Sequence, residues 1–161
     1  MGISIVFHRY LLVLFVIFSG TLFAETSTDE AQIQAVIGKT YDKPKNKVNT
    51  TPISVFDNFA VADWTQGDRG GRALMKRING NWEILACGND GLKDTKSLVK
   101  AGMSEMTASG IVKKLSDLEK SEDPKRLAKF NLFGTPNDPI NKNEDDRWVV
   151  FPWEAWWEKN S

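Results

Sequence analysis

Residues 55–92 constrain the fold more than any other part of the chain. They read VFDNFAVADWTQGDRGGRALMKRINGNWEILACGNDGL. Turn signals interrupt this stretch at Asp57-Asn58, at the glycine-rich residues 67–71 and at Asn79-Gly80, and the last of these is typical of a two-residue hairpin. Short strand-like runs separated by such turns indicate an antiparallel meander. The stretch therefore predicts consecutive β-hairpins.

Four strands are expected in this meander. The predicted strands are residues 52–56, 59–65, 72–78 and 82–87. Because successive side chains of a strand point to opposite faces, alternation along the fourth strand places Trp82, Ile84 and Ala86 on one face and Leu85 and Cys87 on the other.

Helical patterns flank the predicted sheet on both sides. Residues 27–30 (STDE) have capping-box spacing and predict the start of a helix that ends near Tyr41. Downstream, a short helix is expected before Gly102, a longer one after the cap Ser104, and a last one from Pro124. This order predicts an α+β domain with an N-terminal helix, a four-stranded antiparallel meander and C-terminal helices. We expect the helices to cover one face of the sheet, in a cystatin-like or NTF2-like arrangement.

The two ends of the chain differ in composition from this central part. An apolar run at residues 11–18 follows His8 and Arg9, and Leu22-Phe23-Ala24 has the form of a cleavage site. This pattern is typical of a secretory signal peptide, and the alternative is an uncleaved anchor. We expect residues 1–24 to be a signal peptide, residues 25–133 a single α+β domain, and residues 134–161 a linker with a tryptophan-rich extension. The predicted location is the periplasm.

Histidine and cysteine are scarce in the expected mature chain. The only histidine is His8, inside the predicted signal peptide, and the only cysteine is Cys87. This composition excludes Ser-His-Asp and Cys-His hydrolysis, which need an imidazole base, and it excludes an internal disulfide. Removal of residues 1–24 takes away Arg9 and no acid, so 21 acidic side chains face 20 basic ones. That balance argues against nucleic acid as a partner.

Two strings carry a resemblance to a known family. They are AVADWTQGDRGGRAL at residues 60–74 and NWEILACGNDGLK at residues 81–93. Together with TYDKP at residues 40–44 and the helix junction at Gly102, they resemble the small exported proteins called copper uptake system-associated proteins. The likeness covers residues 33–133. It implies association with an outer-membrane copper uptake system of Gram-negative bacteria, with the uptake receptor or another copper-handling protein as partner. Arg69 stands where the family pattern has Met.

A copper role directs attention to sulfur, because copper(I) prefers soft ligands. The candidate ligands are Cys87, Met75, Met103 and Met106. Met75 and Cys87 lie on adjacent predicted strands and are expected to be diagonal neighbours on one face. Met103 and Met106 are three residues apart at the start of a helix and are expected to face the same side. The alternative for all four is that they fill the core.

The second hairpin carries the remaining candidates. Its glycine-rich turn either cradles an anion, with Arg69 and Arg72 as charge partners, or satisfies only the hairpin geometry. Asp63 is the best candidate for a shifted pKa and for a catalytic carboxylate, unless it pairs across the hairpin with Arg72 or Arg77. The candidate interaction residues are Asp63, Trp64, Asp68, Arg69, Arg72, Trp153, Trp156 and Trp157.

The tryptophan-rich tail has two possible fates. It either packs on its own domain, with residues 147–151 as an added edge strand, or it contacts a partner or a membrane through its tryptophans.

The leading functional hypothesis is a non-enzymatic accessory protein that binds or hands over copper. The alternatives are an interaction module with no metal role and a small histidine-independent lyase or isomerase that uses Asp63.

Overall fold

A computed structural model describes residues 28–139. The α+β class and the four-stranded antiparallel sheet, with strand order β1-β2-β3-β4, are confirmed. In chain order the elements are α1 (Asp29–Tyr41), β1 (Asn49–Phe56), β2 (Phe59–Gln66), β3 (Arg69–Ile78), β4 (Asn81–Gly88), a 3-10 helix (Asp90–Lys93), α2 (Thr95–Lys100), α3 (Glu105–Glu119) and α4 (Pro124–Lys129). The predicted signal peptide and the tryptophan-rich tail lie outside the described residues.

Helix α1 begins one residue later than the capping pattern predicted. The Oγ1 atom of Thr28 accepts a hydrogen bond from the backbone N–H of Ala31 at 3.3 Å, and the first turn is acidic, which suits the positive end of a helix. The helix ends at Tyr41, as predicted. The carboxylate of Asp42 then accepts a hydrogen bond from the backbone N–H of Val48 at 2.9 Å, which orders the connection to β1.

Every connection within the sheet is a two-residue hairpin turn. The pairs that close the three turns are Phe56 with Phe59, Gln66 with Arg69, and Ile78 with Asn81. The backbone φ is 50° at Asn79 and 83° at Gly80, the left-handed geometry that matches the twist of two paired strands. The hairpin predicted at Asn79-Gly80 is therefore confirmed.

The glycine-rich segment is mostly strand, contrary to the prediction of a turn. Gly67 and Asp68 alone form the turn, whereas Gly70 and Gly71 pair with β2 inside β3. A side chain does not fit at Gly71, because a Cβ atom there would lie 2.7 Å from the Cβ atom of Phe133. The two strand glycines thus permit close packing, and they do not form an open cradle for an anion.

A bulge in β4 reverses the faces predicted for its last residues. Consecutive residues of β3 pair with Ile84 and Ala86, which leaves Leu85 as the extra residue. Beyond the bulge, Cys87 packs on the same face as Trp82 and Ile84, and Ala86 packs on the opposite face. The prediction from strict alternation was wrong at these two positions.

Helices cover both faces of the sheet, whereas the sequence predicted that they would cover one. Helix α1 packs Ile33 and Ile37 on one face, here called the α1 face, and Phe133 completes that layer. Helices α2 and α3 pack on the opposite face, here called the α3 face, above Val61 and Leu74. The central positions of β2 are buried one after another, as expected for a strand covered on both sides.

Packing continues beyond Phe133. The Asp138 side chain is 2% exposed, and its Oδ2 atom accepts a hydrogen bond from the backbone N–H of Gly134 at 3.0 Å. Its Oδ1 atom lies 3.5 Å from Nε of Arg69 at the start of β3. The chain is therefore held against the sheet as far as Asp138.

Candidate functional site

A buried arginine organises the polar interior of the α3 face. Asp63 on β2 and Arg72 on β3 are direct partners in the antiparallel register. Nε of Arg72 lies 3.1 Å from Oδ1 of Asp63, and the two side chains are 1% and 0% exposed. The cross-hairpin pair predicted as one alternative is confirmed. Neither residue is available at the surface as an interaction residue.

Four further residues surround this pair. Nη2 of Arg72 donates a hydrogen bond to Oε1 of Glu119 at 2.7 Å. Nη1 donates to Oδ1 of Asn131 at 2.7 Å and lies 2.9 Å from Oδ1 of Asp90. The ammonium group of Lys93 forms an ion pair with the other oxygen of Glu119. The six residues, called here the Arg72 cluster, are Asp63, Arg72, Asp90, Lys93, Glu119 and Asn131.

The Arg72 cluster joins parts of the chain that are far apart in sequence. It brings together β2, β3, the 3-10 helix, the last residue of α3 and the segment after α4. Buried charges are tolerated when each has partners, and removal of one partner leaves an uncompensated charge in the interior. The ion pairs and hydrogen bonds of the cluster therefore hold these segments together at one end of the α3 face.

The two buried carboxyl groups of the cluster titrate in opposite directions. Burial raises the pKa of Asp63 to about 8, because desolvation outweighs the attraction of Arg72, and the nearby Glu119 carboxylate adds to the rise. Burial also opposes ionisation of Glu119, yet hydrogen bonds from Lys93 and Arg72 outweigh it and lower the pKa of Glu119. Asp63 is therefore expected to hold a proton at neutral pH, beside ionised Glu119.

Access limits the chemistry that this arrangement can perform. Asp63 has no exposed surface, and a substrate would have to displace Arg72 or Glu119 to reach it. The exposed members of the cluster are Asp90, whose side chain is 62% exposed, and Asn131. The described geometry favours a structural role for the carboxyl pair over proton transfer to a substrate.

Sequence reasoning missed Glu119, the residue that completes the carboxyl pair. Ile111, Leu115 and Glu119 are spaced by four residues along α3, and all three are buried. A charged residue that continues an apolar helical stripe is a signal for a buried ion pair, and it was available in the sequence. Lys93 and Asn131 gave no comparable signal, because their positions depend on tertiary contacts.

The α1 face holds two of the four predicted sulfur ligands. Met75 is fully buried in the α1 face, and Cys87 packs against the same layer, as predicted. Cys87 is partly exposed and interacts with the Tyr41 phenol. Burial raises the pKa of both Cys87 and Tyr41 to about 12, so the thiol is protonated at neutral pH.

The other two predicted ligands are separated from this pair and from each other. Met103 is buried beneath the helices of the α3 face, on the opposite side of the sheet from Met75. Met106, in the first turn of α3, is 71% exposed. Met103 and Met106 do not face the same side, contrary to the prediction, because Met103 precedes the helix and follows the chain into the core.

The predicted interaction residues of the second hairpin are mostly interior. Trp64 is fully buried, and its ring meets that of Phe133 edge to face at a centroid distance of 5.6 Å. Arg69 lies over Trp64, with 6.0 Å between the guanidinium carbon and the ring centroid. Asp68 is exposed at the turn, where Nζ of Lys129 lies 3.6 Å from its carboxylate. Trp153, Trp156 and Trp157 lie outside the described residues.

Comparisons with known proteins add no family. No family model, no curated protein and no solved structure matches the chain. Among residues 28–139, no group of three His, Cys, Asp or Glu side chains is arranged to hold a metal ion. In the same part of the chain, none of the helices has the length and apolar character needed to span a membrane.

Proposed function

We propose that the protein is an exported accessory protein of a copper uptake system, which acts by binding or handing over copper or by contacting the transporter. The apolar run at residues 11–18 supports export. The copper assignment rests on the resemblance of residues 60–74 and 81–93, which include most of β2, β3 and β4. The observation that carries the proposal is the placement of Cys87 and Met75 on one face, with Cys87 partly exposed on an outer strand.

A thiolate and a thioether are both ligands that copper(I) favours. Because the Cys87 thiol is protonated at neutral pH, copper(I) has to displace its proton on binding. The copper affinity is therefore expected to rise by about tenfold per pH unit while the free thiol stays protonated. Arg69 lies close enough to Cys87 to favour the thiolate, which assists this loss of the proton.

Anaerobic competition against a chromogenic copper(I) chelator tests this proposal. The wild-type protein is expected to withdraw copper(I) from the chelator, more strongly at pH 8 than at pH 6. Cys87→Ser is expected to abolish the competition and Met75→Leu to weaken it. Met103→Leu is the matched control, because it makes the same change beneath the opposite face. A wild-type protein that fails to compete at either pH would rule out direct copper binding.

A protein-interaction module without a metal role is the second candidate. The raised pKa of Cys87 favours it, since a protonated thiol is a poor ligand until its proton is lost. If this candidate is correct, Cys87→Ser will restore copper uptake in cells that lack the protein as well as the wild type does. Loss of uptake with Cys87→Ser, in a variant that folds normally, would instead favour copper handling.

An enzymatic function is the least supported of the three. We place the fold nearest to a cystatin-like or NTF2-like arrangement, and an NTF2-like lyase would need its carboxylate open to a concave face of the sheet. Asp63 is enclosed by the Arg72 cluster instead. The histidine-independent lyase or isomerase therefore stays a hypothesis without a geometric argument in its favour.

A further inference from the structure

The outer edge of β4 is apolar and has no partner strand within residues 28–139. Residues 84–87 (ILAC) form a continuous apolar run along it, and each of the four is only partly buried. Ile84 and Cys87 pack toward the α1 face, and Leu85 and Ala86 pack toward the α3 face. The edge is therefore apolar on both sides. Proteins usually cover, charge or interrupt such an edge, because its free N–H and C=O groups recruit another strand.

The opposite edge of the sheet is protected by side chains. Strand β1 contains Pro52, which has no N–H to offer an incoming strand. Nη2 of Arg126 donates a hydrogen bond to the Thr51 carbonyl at 2.5 Å, and Nε2 of Gln34 donates to the Thr50 carbonyl at 2.9 Å. These contacts occupy part of the hydrogen-bonding edge of β1. Strand β4 contains no proline, and the bulge at Leu85 is the feature that interrupts it, so β4 is the edge better able to accept a strand.

The segment after α4 passes the C-terminal end of β4 and ends next to the start of β3. Nδ2 of Asn89, just after β4, donates a hydrogen bond to the carbonyl of Phe133 at 3.1 Å, and Asp138 is held at Arg69. The eight residues from position 139 to position 147 span at most about 28 Å. Strand β4 has eight residues, or about 27 Å of length. A segment that begins at residue 147 therefore reaches the edge, and it meets the C-terminal end of β4 first.

We propose that residues 147–151 (RWVVF) of this chain dock on the outer edge of β4 as an antiparallel strand. The segment is rich in strand-forming residues, and its run from Trp148 to Phe151 is apolar on both faces, as is the edge that it covers. Backbone hydrogen bonds supply the affinity of such an added strand, and alternate side chains supply its specificity. The short connection from residue 139 keeps the segment at a high effective concentration.

Cys87 provides a direct test, because it is the only cysteine of the chain. In the full-length Trp148→Cys variant, diamide is expected to oxidise the two thiols to an intramolecular disulfide and to take up their two protons and two electrons. Facing residues on adjacent antiparallel strands have Cα atoms about 4.5–5.5 Å apart, within disulfide range. Lys159→Cys is the control, because it places a thiol beyond the docked segment.

The yield of monomeric disulfide, measured by intact mass and non-reducing electrophoresis, decides between the outcomes. A disulfide that forms at least about tenfold faster in Trp148→Cys than in Lys159→Cys supports the docked strand. Equal rates in the two variants would overturn it. Disulfide-linked dimers alone, at a rate that scales with protein concentration, would also overturn it, because the docked segment would then come from a second copy.

Amide hydrogen exchange supplies a second readout that needs no cysteine. Val149→Pro removes a backbone donor in the middle of the segment and is expected to speed exchange of the outward amides at residues 84–87 by about tenfold or more. Ala155→Pro makes the same change outside the segment and is expected to leave β4 unaffected. Unchanged exchange in Val149→Pro would show that residues 147–151 do not cover this edge. Neither experiment depends on copper.

Discussion

Asp63 and Glu119 differ in protonation although they share one buried environment. The difference arises because Glu119 forms ion pairs with both Lys93 and Arg72, whereas Asp63 forms its ion pair with Arg72 and is more deeply buried. One carboxyl group therefore keeps its charge, and its neighbour keeps a proton. At the scale of single residues, this division makes the stability of the protein depend on pH in a direction that can be stated in advance.

The direction follows from the number of protons bound in each state. The pKa of Asp63 is about 8 in the folded protein, against an ordinary value of 3.8. Between these values the folded state holds a proton that the unfolded state has released, so the free energy of unfolding falls as pH rises through this window. The lowered pKa of Glu119 acts in the opposite sense, but only near and below its ordinary value of 4.5.

Replacement of Asp63 by asparagine isolates this effect. An asparagine side chain has no proton to lose, but its amide can still donate to Glu119 and its carbonyl can still face Arg72. We expect Asp63→Asn to melt at nearly the wild-type temperature at pH 5 and to be more stable than the wild type by on the order of a few kcal/mol at pH 8. Thermal unfolding followed by circular dichroism at both pH values measures the difference. An Asp63→Asn variant less stable than wild type at pH 8 would contradict the protonated state assigned to Asp63.

At the scale of secondary-structure elements, local signals predicted the hairpins but not the contacts between layers. Asn79-Gly80 determines its turn through local backbone preferences, and the structure has the turn where the sequence predicted it. The bulge at Leu85 and the close packing at Gly71 depend on partners that are distant in sequence. The side of the sheet that Cys87 faces was therefore beyond prediction from alternation alone.

Substitutions at Gly71 and Gly38 distinguish contacts between distant residues from local backbone preferences. Gly71→Ala is expected to destabilise the protein by about 1–3 kcal/mol, because the added methyl group meets Phe133, Trp64 and the Gly88 carbonyl within 3 Å. Gly38→Ala in α1 meets only the Asp42 side chain at 3.6 Å and is expected to stabilise by about 0.4–1 kcal/mol. Chemical denaturation of the two variants measures both values. A neutral Gly71→Ala variant would show that the segment after α4 does not pack on β3 as described.

At the scale of the whole molecule, the last described residues complete the domain. Phe133 packs in the α1 face, and Oδ1 of Asn131 accepts a hydrogen bond from Arg72 on the α3 face. The sequence predicted the class and the meander, and it offered a pair of Asp63 with Arg72 or Arg77 as one alternative. It could not show that one short segment contributes to both faces of the sheet, because that segment has no periodic pattern of its own.

Shortening the chain in two steps tests the role of this segment. A protein that ends at residue 139 is expected to unfold cooperatively. One that ends at residue 129 is expected to lose at least about 3–5 kcal/mol, the usual cost of removing one large buried aromatic side chain. Urea denaturation of the two proteins measures the difference. Equal stabilities would show that Phe130, Asn131 and Phe133 contribute little to the fold.

The packing of helix α1 and Phe133 in one layer on the α1 face also affects the order in which the protein folds during synthesis. The strands 49–88 pair only with their neighbours in sequence, so the sheet can assemble as soon as these residues are available. Helix α1 is made first, but the layer into which it packs is not complete until Phe133 has emerged. During synthesis the inner face of the N-terminal helix therefore stays partly uncovered until nearly the whole of the described chain has been made.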